Sequence, residues 1–215
     1  MRKGDRTIRH VAQRYANGSA TTIEIGCGCI RRIVFFLLLP IMLFGCSPSQ
    51  DGIDDVMELR RRILDSKQCS FVADITADYG EYVYEFALAC ICDSSGNLSF
   101  SVLTPDTISG LKGVVGAGGG SLVFEDQVLA FPALTEQEIS PVWAPMLMMQ
   151  ALRSGYVRAA GRDGDGIHVI IDDSYEGEAL QADVCLDGNK NPITCELIWK
   201  GTRILSVNVE SFLIA

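Results

Sequence analysis

From Cys69 onward, apolar residues fall on alternate positions, a period that only a half-buried strand can use. Over residues 71–78, Phe71, Ala73, Ile75 and Ala77 share one face, and Val72, Asp74, Thr76 and Asp78 share the other. A tight turn at Tyr79, Gly80 and Glu81 leads into a return strand over 82–92. That strand sets Tyr84, Phe86, Leu88, Cys90 and Cys92 on one face. A second turn at 93–97 opens a third strand over 98–104, which Pro105 ends. Strands joined by such short turns must run antiparallel.

The pattern continues beyond a glycine-rich stretch. Short strands are expected around Val114, over 122–125 and over 128–131, followed by a polar loop at 134–140. Strands over 156–161 and 167–172 flank the turn 162–166, and 179–186 follows. The last hairpin joins 193–199 to 202–212 through Lys200 and Gly201. Two segments break the rule of two. Ile53, Val56, Met57, Ile63 and Leu64 recur at helical spacing, predicting an amphipathic helix over 53–66 that starts near Asp51. Arg60, Arg61 and Arg62 then fall on a solvated face, with lipid headgroups as an alternative contact. Ser140 and Pro141 open a second helix over 142–153, which Ser154 and Gly155 close. This helix is apolar nearly all round, so it must bury more than one side.

About nine or ten strands with no strand–helix–strand alternation exclude a parallel sheet. The expected fold is α+β and mostly β. It is a curved antiparallel sheet forming an incomplete barrel, with two helices covering the concave face.

The head of the chain is of another kind. Arg31 and Arg32 precede a twelve-residue apolar run, residues 33–44. A spanning helix takes roughly 20 residues, so the run suits the apolar region of a signal peptide. A simple membrane anchor or a buried helix are its other readings. The run ends in Leu43, Phe44, Gly45 and Cys46, which resembles the lipobox of bacterial lipoproteins. Phe44 departs from the small residue usual there. The resemblance implies that Leu43 and Gly45 serve signal-peptidase recognition and that Cys46 carries the lipid. It divides the chain into a signal peptide over 1–45 with an unusually long N-terminal extension, a lipidated tether over 46–52, and a domain over 53–215. Residues 46–215 carry eleven Lys/Arg against twenty-five Asp/Glu, which argues against nucleic-acid binding.

The order of elements resembles the Lol-type lipoprotein carrier and receptor family and its Gram-positive lipoprotein relatives. The likeness lies in the hairpin over 71–89, in Leu103-Thr104-Pro105 followed by Ile108-Ser109-Gly110, and in the ending from Asn191 through Trp199-Lys200-Gly201 to Phe212. It implies a half-barrel around an apolar cavity able to hold acyl chains. Some relatives in spore-formers are instead structural partners of envelope enzymes.

No catalytic constellation stands out. Residues 114–120 superficially match a dinucleotide fingerprint, but Ser121 stands where its last glycine belongs and a strand follows where a helix should. A rim loop is the better reading. His10 and His168 are the only histidines, and His168 alternates on a strand with no nucleophile to serve. Asp163, Asp165, Asp172, Asp173 and Glu176 lack the ligand order of an EF-hand. Cys69, Cys90, Cys92, Cys185 and Cys195 are an odd set in which buried thiols are the default, although Cys185 and Cys195 lie on neighbouring strands and could be bridged.

These observations predict no enzyme, no cofactor and no metal. The expected protein is an envelope lipoprotein outside the cytoplasm, held to the membrane through Cys46. It would bind a hydrophobic ligand, either an acyl chain or a lipidated partner, under the helix that carries Trp143, Met146, Leu147 and Met149. The alternative is a scaffold that docks an envelope protein with no ligand. Room for an acyl chain separates the two: a cavity of about 300 Å³ or more favours the first and a filled interior the second.

Overall fold

The computed structural model describes residues 50–215, apart from 125–126, 132–133, 136–137, 165 and 176–177. The predicted signal peptide, Leu43, Gly45 and Cys46 lie outside them.

Eleven strands form one antiparallel sheet in the order β6-β5-β4-β3-β2-β1-β13-β12-β11-β10-β9. The strands in chain order are β1 Gln68–Asp78, β2 Val83–Asp93, β3 Leu98–Thr104, β4 Lys112–Gly116, β5 Gly119–Phe124, β6 Gln127–Phe131, β7 Leu134–Thr135, β8 Glu138–Ile139, β9 Tyr156–Asp163, β10 Gly166–Tyr175, β11 Glu178–Leu186, β12 Pro192–Trp199 and β13 Thr202–Ile214. Among the described residues the α-helices are α1 Gln50–Asp65 and α2 Ala144–Ser154, the latter entered through a 3₁₀ turn at Pro141–Trp143. The mostly β, antiparallel architecture with two helices is the one its sequence pattern predicts. The strands run longer than expected at their ends, because ladder hydrogen bonds continue where the apolar alternation fades.

Every second residue faces inward. Phe71, Ala73, Ile75 and Ala77 of β1, Leu88, Cys90 and Cys92 of β2, and Leu205, Val207 and Val209 of β13 are buried in one core with Leu59 and Ile63 of α1 and Leu147, Met148, Met149 and Leu152 of α2. Five of the strand pairings contain a register shift. Each puts extra chain into one strand, bending it and raising its twist, and together they curl so wide a sheet. The β12–β13 turn is made by Lys200 and Gly201, both at positive φ, as a two-residue hairpin of this hand requires.

Several expectations are corrected. Gln50, Asp51 and Gly52, read as tether, are already helical. Gly52 lies so close to β9 that a Cβ there would stand 3.1 Å from the backbone of Ala160. The buried stripe of α1 is Asp55, Val56, Leu59 and Ile63, with Met57 and Leu64 exposed. Asp55, buried in this stripe, pairs with Arg162 and with Lys190, whose Nζ is 3.0 Å from its Oδ1. The polar loop at 134–140 contains the β7–β8 hairpin, whose Ile139 is buried and accepts a hydrogen bond from the Tyr79 hydroxyl at 2.6 Å. Ser140 precedes the 3₁₀ turn but gives no side-chain cap; its carbonyl accepts from Trp143 N at 3.0 Å. Residues 114–120, read as a rim loop, form the β4–β5 hairpin, which contains the strand expected around Val114, and Gly113 lies beneath the Phe100 ring.

Candidate functional site

The inner face of α2 was the expected ligand site. Trp143, Met146, Leu147 and Met149 are all buried, the most exposed being Met146 at 7%. They share one core with Leu59, Ile63 and the inward residues of the strands. Near-all-round apolarity of this helix is therefore met by packing on several sides.

The C-terminus of α2 is held by α1. Arg60 donates from Nε to Leu152 O at 2.8 Å, and from Nη2 to Gly155 O at 2.7 Å and to Ala151 O at 3.3 Å. A cation on these carbonyls satisfies acceptors that a helix end leaves open and complements its dipole. Arg60 thus leaves the solvated face expected for it. Arg62 reaches Asn189 O and Asn191 Oδ1, both at 3.4 Å, while Arg61 is exposed. At the same end of α2, Arg153 donates to Ser94 O at 2.7 Å and so ties the helix to the β2–β3 turn. Gly155 closes the helix for a packing reason: a Cβ there would stand 2.4 Å from Ile171 Cγ2.

A space large enough for an acyl chain lies on the opposite side of the sheet. Val72, Ala89, Ile91 and Leu213, with Ser70, Ser99, Ser101 and Ser211, line an open, largely apolar groove of about 450 Å³ on the outer face of β3, β2, β1 and β13. The register places Ser99, Ile91, Ser70 and Leu213 in one row across the four strands. The irregular pairing of β13, where Ser211 takes φ 54°, shapes this end of the groove. None of the residues predicted to line a cavity borders it.

The remaining candidates disperse. His168 is exposed on β10, with Nε2 2.5 Å from Asp183 Oδ1 on β11. Asp172 pairs with Arg158 at 3.3 Å, and Asp173 accepts from Gln150 Nε2 at 3.3 Å. Among the described residues no three His, Cys, Asp or Glu are placed to hold a metal ion; Asp165 and Glu176 lie outside them. Cys185 and Cys195 are free thiols. The register pairs Val184 with Cys195 and Cys185 with Thr194, so the two sulfurs leave opposite faces of the sheet and cannot bridge. Burial pushes the Cys90 thiol up to about 12 and the Cys92 thiol up to about 11. Cys195 is raised further by the same cause. Such thiols are poor nucleophiles. Among the described residues no helix is long and apolar enough to cross a membrane.

One exposed feature was not anticipated. Tyr82, Tyr84 and Phe86 stack in a row with centroids 6.4 and 6.5 Å apart, and Tyr79 tilts against Tyr84 at 6.2 Å. The alternation of β2 places Tyr84 and Phe86 on its inner face, but the strand runs on past the helices and its tip stays in water.

No family model and no curated protein matches the chain. Among solved structures it is similar to a lipoprotein-sorting protein domain from Vibrio parahaemolyticus, at 8% identity and TM-score 0.43 over 77% of this chain and 92% of that one. It is also similar to an uncharacterised conserved protein from Thermus thermophilus, at 12% identity and TM-score 0.42 over 78% and 87%. A LolA superfamily protein from Nitrosomonas europaea matches at 7% identity and TM-score 0.39 over 79% and 94%.

Proposed function

We propose that this chain is an envelope lipoprotein, anchored outside the cytoplasm through a lipid on Cys46, whose domain is a non-enzymatic docking scaffold for a protein partner. One observation carries the scaffold reading. The space between helices and sheet, where a carried acyl chain would lie, is occupied by the side chains of Leu59, Ile63, Leu147, Met148, Met149 and Leu152, all at 1% exposure or less. A ligand there would have to displace the helix that Arg60 and Arg153 hold at its C-terminal end. The lipobox supports the anchor, and the filled half-barrel leaves the outer surfaces to do the binding.

A second reading keeps the hydrophobic ligand and moves it outside. The groove at Val72, Ile91 and Leu213 has the size and the apolar lining for one acyl chain, although it is open to solvent. Native mass spectrometry of residues 50–215 separates the two. The scaffold reading expects the bare mass after purification and after incubation with phosphatidylglycerol vesicles. A lipid adduct released on denaturation overturns it in favour of the ligand reading. Loss of that adduct in Ile91→Asp would then place the lipid in the outer groove.

A further inference from the structure

We propose that the tip of the β1–β2 hairpin receives an extended, Lys/Arg-bearing segment of the partner protein; this rests on the docking reading above and names its surface and its partner's chemistry. Three independent observations meet at this tip. The first is the aromatic row, in which Tyr82 is 63% exposed and Tyr84 46%. Aromatic faces in water are binding surface for apolar stems and for cations.

The second is an open strand edge. The pairing of β3 with β2 ends at Ala87 opposite Thr104, whereas β1 stays paired with β2 out to Val83. Residues 83–86 therefore have a strand neighbour on one side only among the described residues. An incoming extended segment can continue the sheet there, taking its main-chain hydrogen bonds from this edge. Side chains of the added strand would alternate between the face of Tyr84 and Phe86 and the face of Val83 and Glu85.

The third is charge. From Gln68 to Leu111 the chain has no Lys, Arg or His, but it carries Asp74, Asp78, Glu81, Glu85, Asp93 and Asp106. Glu81 and Glu85 flank the aromatic row on the turn and on the open strand. On the β12–β13 hairpin, whose β13 pairs with β1, Arg203 pairs with Glu196 at 2.8 Å and Lys200 lies 5.5 Å from the centroid of the Trp199 ring. An arriving cation on one face of the added strand meets Glu85, and on the other it meets a tyrosine ring. An acidic or neutral segment gains neither.

The test places the photoreactive residue p-benzoylphenylalanine at Tyr82 in the full chain, expressed in its own cells, with control probes at Leu213 and Val128. Irradiation should join position 82 to a protein segment carrying Lys or Arg within a few residues of the adduct. The double variant Glu81→Lys, Glu85→Lys should lower the yield at least about fivefold, and Tyr84→Ala about as much. Circular dichroism of the variants controls for folding, since all three substituted residues are exposed. Adducts with lipid alone, with a segment lacking cations, or with a yield indifferent to charge reversal overturn the inference. If the controls capture protein while position 82 does not, the inference fails and the scaffold stands. If no position captures protein, both fail.

Discussion

Replacing Arg60 tests whether the plug of the half-barrel is held as described. The side chain is half-buried between the helices, and burial lowers its pKa, but a guanidinium stays charged at neutral pH. Of its three acceptors, Ala151 O already receives Gly155 N at 2.9 Å and loses little. Leu152 O at 2.8 Å and Gly155 O at 2.7 Å are the two contacts that matter. Hydrogen bonds to a charged group are worth about 1.5–3 kcal/mol each, and a cation at a helix C-terminus adds about 0.3–1. Against this stands the cost of holding a guanidinium partly out of water, so Arg60→Ala should cost about 2–4 kcal/mol of a stability that for domains runs about 5–15. With an m-value near 2 kcal/mol/M in urea, the midpoint falls by roughly 1–2 M. Arg60→Lys keeps the charge but not the fork and should recover about half. Arg61→Ala, one position on and exposed, should stay within about 0.5 kcal/mol of the parent. The assay is urea unfolding of residues 50–215 followed by tryptophan fluorescence, because Trp143 sits at the entry to α2. An Arg60→Ala midpoint within about 0.3 M of the parent refutes the reasoning, as does an Arg60→Lys no better than alanine.

Two further outcomes follow from packing and burial. Gly155→Ala should destabilise by about 2–3 kcal/mol on the same assay, because its Cβ meets Ile171 Cγ2 at 2.4 Å and Ala151 O at 2.8 Å; an unchanged midpoint would mean that the α2–β9 junction has slack. With iodoacetamide at pH 8, Cys185 should be alkylated first, and Cys69, Cys90, Cys92 and Cys195 only on unfolding. Thiols raised to about 12 and about 11 at Cys90 and Cys92 hold almost no thiolate at that pH, and their reactivity would rise only as pH climbs toward those values; early labelling of either, read by peptide mass spectrometry, would contradict their burial.

The parts of this fold that show in the sequence are those governed by solvent. The alternation of Phe71 to Asp78 names the inward face of β1 without any tertiary knowledge, and the run from Trp143 to Leu152, apolar but for Gln150, marks a helix buried on several sides. What stayed hidden depends on partners far along the chain. Arg60 reads as one of three like cations until Leu152 and Gly155 are brought beside it. Nothing in the sequence around Asp55 points to Arg162 and Lys190, which close on it from two different hairpins. Cys185 and Cys195 lie on adjacent strands, and only the register shows that they face apart. Tyr84 and Phe86 were placed on the inner face, but where the helices stop covering that face is a matter of three-dimensional extent that no alternation encodes.

The pairing of β1 with β13 joins two halves of the sheet that are each built from hairpins of neighbouring strands. One half, β1 to β6, and the other, β9 to β13, consist of local pairings that close quickly. The seam between them links Cys69 to Ile214 and Ala77 to Leu205, across nearly the whole domain. It cannot form until the last strand has left the ribosome. Until then the apolar inner face of β1 has an open edge beside it and only part of its covering. The domain is therefore completed in a single late event, and a chain that stalls or is clipped before residue 202 is left as two unjoined ribbons with a long edge free to pair with another molecule.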